Sequence, residues 1–129
     1  MSLLSNVDFM GKALAISEAQ LALTTSNLAN QDTPNFKAKA IDFRSELQKA
    51  TGHDMGQIKK TNTKHLNIQG QKHELTIQFV HSGVARADGN TVDSNLEKKK
   101  FVEQQIHYQT MVELLTKSRS SVITTLKGK

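Results

Sequence analysis

Ser26-Asn27-Leu28-Ala29-Asn30-Gln31-Asp32-Thr33-Pro34-Asn35-Phe36-Lys37 holds a helix end and a tight turn within twelve residues. Thr33 precedes proline and is pushed out of the helical region, while Pro34 presets the first central position of a turn. A type II turn over Thr33–Phe36 needs positive φ at Asn35, for which Asn is the best residue after Gly. Whatever helix precedes this segment stops before Pro34, and the chain leaves it at a fixed angle.

Reading back toward the N-terminus, Leu3, Val7, Met10, Leu14, Ser17, Leu21, Thr24 and Leu28 alternate steps of four and three, the spacing of a heptad seam. Ser5, with Asp8 three residues on, offers an N-terminal cap, and the spacing predicts a helix over roughly residues 6–28. Reading forward, residues 37–50 hold a short helix near Phe43–Ala50, and Thr51-Gly52-His53-Asp54-Met55-Gly56 interrupts it. Leu66 and Ile68 read as a short extended stretch. Glu74–His81 reads as a strand in which Leu75, Ile77 and Phe79 line one buried face.

A Gly89-Asn90 turn leads into Ser94-Asn95-Leu96-Glu97, which fits a capping box opening a long C-terminal helix. There the four-three alternation runs Phe101, Gln105, Tyr108, Val112, Leu115, Arg119, Val122, Leu126. Ile106, Met111, Leu114 and Ile123 widen its apolar face. The fold expected is mainly α: long N- and C-terminal helices pairing as an antiparallel coiled coil around a small irregular or β middle. The divisions are residues 1–36, 37–93 and 94–129, with the first and last forming one core. Ser17, Thr24, Gln105 and Arg119 occupy seam positions that favour apolar side chains, so the pair alone gains little and needs further neighbours. The assembly seam is therefore assigned to Val7, Met10, Leu14, Leu21, Leu28, Phe101, Tyr108, Val112, Leu115, Val122 and Leu126.

Composition narrows the function. A chain of 129 residues, 36% hydrophobic and without tryptophan, builds one modest core at most. The absence of cysteine removes disulfides, thiolate nucleophiles and cysteine-ligated metals. The net charge of +5 is uneven, because residues 1–36 hold Asp8, Glu18 and Asp32 against Lys12. The first thirty residues lack a basic leader before an apolar run, so neither a cleaved signal peptide nor a membrane span is expected.

The twelve residues first quoted resemble the signature of flagellar rod and hook proteins, in which Asn-hydrophobic-Ala-Asn ends the first helix and leads into Thr-Pro-Gly-Tyr. The motif residues here are Asn27, Leu28, Ala29, Asn30, Thr33, Pro34, Asn35 and Phe36. Asn35 stands in place of Gly, and Phe36 in place of Tyr. Ala40-Ile41-Asp42-Phe43 and Gly89-Asn90-Thr91-Val92-Asp93 with Glu97 look like the proximal-rod type, as do Tyr108-Gln109 and Leu114-Leu115. The likeness covers roughly residues 7–45 and 87–126. It implies a subunit of the proximal rod of the bacterial flagellar basal body, exported unfolded by the flagellar type III apparatus and polymerised into a hollow helical drive shaft. The partners implied are other copies, further proximal-rod proteins, the ring-to-rod adaptor FliE and the inner-membrane ring.

Other chemistries find little footing. His65, His73 and His81 recur every eight residues without a carboxylate or cysteine to complete a metal set, and no cofactor is expected. Lys98-Lys99-Lys100 and the Lys127-Gly128-Lys129 tail read as solvated charge, with neither interleaved aromatics nor a recognition helix for nucleic acid. No GxSxG, P-loop, GxGxxG or HExxH occurs, so an enzyme is not expected. A coiled-coil adaptor that does not polymerise is the second reading, and a basic nucleic-acid-binding module the third.

Overall fold

In a computed structural model, residues 3–52, 74–80 and 85–128 are described. The order is α1 (Leu3–Ala29), β1 (Lys39–Ala40), α2 (Phe43–Ala50), β2 (Gln78–Phe79) and α3 (Ser94–Lys127). The protein is mainly helical, with α1 and α3 packed along their length. Hydrogen bonds join Met10 to Ser118, Ser17 to His107, Thr24 to Gln104 and Asn27 to Glu97, so rising numbers in α1 meet falling numbers in α3. The pair is antiparallel, as the sequence requires.

Heptad spacing holds, but its phase differs from the expected one. The α1 residues turned most fully inward are Ala13, Ile16, Ser17, Thr24 and Asn27. Leu14, Leu21 and Leu28 flank them half-buried, as do Val7 and Met10. In α3 the inward line runs Glu97, Phe101, Gln104, Tyr108, Met111, Leu115, Ser118, Val122. Val112 is 37% exposed and Leu126 80%, so neither belongs to the helix contact; Gln105 and Arg119 also face outward. The cause is steric. Small side chains let two helices approach along Ala13, Ser17 and Thr24, and bulky leucines are pushed to the flanks. Sliding the alternate positions by one residue brings Gln104 and Ser118 inward and leaves Arg119 in solvent.

Both helix starts also differ from expectation. Ser5 lies inside α1, which already runs at Leu3; no proline or glycine precedes it to force a later start. Asp93, not Ser94, caps α3: its carboxylate accepts from the amides of Asn95 and Leu96 at 3.0 and 3.1 Å. The carboxylate complements the positive end of the helix dipole better than a hydroxyl does, and Ser94 is left to bond Gln31.

The short helix falls on Phe43–Ala50, where Asp42 caps it through the Ser45 amide. Its Phe43 ring meets His107 of α3 edge-on, with centroids 5.2 Å apart. The strand shrinks to β2, antiparallel to β1 with Lys39 opposite Phe79. Its expected buried face is absent, since Ile77 and Phe79 are 53% and 63% exposed. Among the described residues the ribbon has two strands and no second sheet or helix layer over Ile77 and Phe79, so it has no buried side to offer them. Leu66, Ile68, His65, His73 and His81 lie outside the described residues.

Candidate functional site

The densest structure surrounds the Asn/Thr-Pro segment, where the end of α1, β1, the loop before α3 and its first turns meet. Asn27, 1% exposed, is its hinge pin. Its amide nitrogen donates to Lys39 O at 2.8 Å and to Glu97 Oε2 at 3.0 Å, while its oxygen accepts from Lys39 N at 3.0 Å. One side chain thus ties α1 to a strand and to α3. Glu97 is itself buried, and Lys100 Nζ completes it at 2.9 Å, so its charge is paired where water is excluded.

Asn90 is the second pin and is 0% exposed. Its amide group donates to the carbonyls of Asn30, Gln31 and Thr33 at 2.9, 3.0 and 2.9 Å. Each of these carbonyls, in the turn just past α1, also accepts from a second donor (Thr33 N, Arg86 and Phe36 N in turn), and Asn90 gathers all three on one amide group whose two hydrogens are shared among them. Its own oxygen accepts from Val92 N at 2.7 Å. Thr91 extends the lock, with its amide on Phe36 O and its hydroxyl accepting from Ala38 N.

The turn over Thr33–Phe36 forms as expected. Asn35 has φ 60, the only positive value at a non-glycine among the described residues, and Phe36 N donates to Thr33 O at 3.3 Å. Asn35 N donates to Asp88 O at 2.9 Å, bringing a second tight turn against the first. There Gly89 has φ 79, and a Cβ on it would lie 2.5 Å from Asn35 Oδ1. Gly89 therefore answers both a backbone need and a close approach. Arg86 donates to Gln31 O at 2.9 Å across the outside.

Of the motif residues, Asn27 is buried, Leu28, Asn30 and Phe36 are half-buried, and Ala29, Thr33, Pro34 and Asn35 are exposed. The motif is a hydrogen-bonded joint with an exposed rim. Sequence reasoning singled out both arms of it, but not that Asn90 plugs the carbonyls of the other arm. A second joint lies beside it. Glu46, 1% exposed, accepts from Lys49 Nζ at 2.8 Å, and Lys49 also reaches Thr76 at 3.0 Å, so α2 is clasped to the segment leading into β2. Burial alone would raise the Glu46 pKa, but the hydrogen bonds of Lys49 and Thr76, with the Lys49 charge, hold it below the ordinary value.

Among the described residues no buried polar side-chain atom lacks a partner. No group of three or more His, Asp or Glu is placed there to hold a metal, and no helix is long and apolar enough to cross a membrane. Long paired helices locked at one end by a polar joint, with charged and apolar side chains standing free elsewhere, define a helical structural subunit. No family model matches the chain. It is 35% identical over 117 residues to the flagellar basal body rod protein FlgB of Cereibacter sphaeroides, covering 91% of this chain and 90% of that one. The Aeromonas hydrophila protein of that name is 33% identical, covering 90% and 88%. That of Bacillus subtilis is 30% identical, covering 99% and 98%. The chain belongs to the flagellar basal body rod protein FlgB family.

Proposed function

We propose that the chain is a structural subunit of the flagellar basal-body rod, in the proximal segment of a hollow helical shaft. The observation that carries this is kinship along nine-tenths of both lengths, which takes in both helices and the joint between them. The architecture supports it. Exposed Leu4, Val102, Ile106, Ile123 and Leu126 give the helices more apolar surface than one copy covers, and repeated subunit contacts around a screw axis would cover it.

The role is structural rather than catalytic, because the buried polar groups of the joint are engaged with one another. Other rod proteins are the partners, with the adaptor FliE and the inner-membrane ring at the base and the type III apparatus as the route of export. Nucleic acid is not a partner. The test is to restore a strain lacking the gene with a tagged chain and purify its basal bodies. Tagged chain at the base of the rod, with swimming restored, is the expected outcome. Basal bodies complete without it would end the proposal.

A further inference from the structure

The faces of α1 and α3 turned away from each other carry charges in matching register. On α1, Asp8 and Glu18 are exposed and ten residues apart; on α3, Lys117 and Lys127 are exposed and also ten apart. Ten helical residues span about 15 Å. Within one copy these pairs cannot meet, because each lies on the side away from the helix contact. Asp8 has only its own helix neighbour Lys12, at 2.8 Å, and Glu18 and Lys117 make no ion pair among the described residues.

We propose that these faces join two copies of the chain, α1 of one lying antiparallel on α3 of the next, with Glu18 against Lys117 and Asp8 against Lys127. This rests on the rod reading. Because α1 and α3 are antiparallel within a copy, like-oriented neighbours present them to each other antiparallel as well, the direction the charges require. The same register sets Ala15 against Ser120, Ala22 against Glu113 and Ala29 against Ile106, which is 59% exposed. No like charges are opposed along it, and the alanines allow the axes to approach. The contact is heterologous, so it propagates from copy to copy instead of closing a pair.

The absence of cysteine makes the test clean. Glu18→Cys and Lys117→Cys are introduced together in a complementing strain, and purified basal bodies are oxidised. Covalent dimers and longer ladders of this chain are expected, and neither single variant should give them, since a disulfide needs Cα atoms within about 7 Å. In parallel, Glu18→Lys should abolish swimming and Lys117→Glu added to it should restore it. Chain present in basal bodies but only monomeric after oxidation, bridged to a different protein, or unrescued by the second reversal would overturn the contact and leave the rod reading standing. Chain absent from basal bodies would overturn both.

Discussion

The two ends of the helix pair are built on opposite terms. At the joint, Asn27, Asn90, Glu97 and Thr91 are buried and bonded to backbone and to one another. At the far end, Leu4 is 70% and Leu126 80% exposed, and Ser118 bonds Met10 across the helices. The wholly buried apolar side chains among the described residues are Ala13, Ile16, Ala38, Ile41 and Val92, and none lies near that end. One copy thus specifies the angle at which its helices leave the joint by polar geometry, and leaves apolar side chains exposed at the other end. A polar joint is directional where an apolar core is not, which suits a part whose shape must be set before it is assembled.

The sharpest way to break this contrast is at Asn90. Asn90→Ala takes one donor from each of three carbonyls, which keep their other partners, and leaves the buried Val92 amide without its acceptor. We expect a loss of roughly 2–3 kcal/mol, read by urea denaturation. A loss under about 1 kcal/mol would mean that solvent reaches the joint.

Gly89 and Asn35 give a smaller, separable effect. Gly89→Ala should cost about 2 kcal/mol from positive φ and the close approach together, and Asn35→Gly in the same chain should recover the part due to the approach alone. Asn35→Gly by itself is expected to be neutral or mildly favourable, and Asn35→Val to lower both stability and motility. Additive behaviour of the Gly89 and Asn35 changes would separate the two turns.

The Glu46 clasp responds to acid. Its folded-state pKa lies below the unfolded value, so its contribution is fully present above the ordinary glutamate pKa of about 4.3 and disappears as pH falls through the lower folded value. The urea midpoint should therefore decline below about pH 4, and Glu46→Gln should lower it at pH 7 and flatten the decline. An unchanged pH profile in that variant would remove the clasp from the account. The smallest effect belongs to the far end, where Leu126→Ala should change monomer stability by less than about 0.5 kcal/mol while reducing motility.

Backbone rules carried the sequence reading well. Proline, turn residues and the break after Ala50 placed the helix ends, the short helix and the positive φ of Asn35, because these are local steric requirements. The seam phase was not legible from apolar residues alone. Leu14, Leu21 and Leu28 mark the most hydrophobic line, but the closest line uses the smaller Ala13 and polar Ser17, Thr24 and Asn27. Arg119 in the expected seam was the available warning, and moving the alternate positions by one residue removes it. The partners of Asn90 could not be found from sequence, since they lie some sixty residues away and an Asn beside Gly reads first as a turn. The strand was overextended because alternation reports a possible buried face, and among the described residues no second layer buries Ile77 and Phe79.

Hydrogen exchange on the dilute full-length protein tests the contrast most directly. Amides around the joint, in residues 24–46 and 86–104, should be the slowest to exchange, and those in residues 4–12 and 112–126 fast, because stretches of helix that bury no side chain fully are marginal in water. Adding rod partners should slow the far ends and leave the joint unchanged. Uniform strong protection along both helices of the monomer would contradict the account, and would make the pair a self-sufficient hairpin that needs no neighbour to complete it.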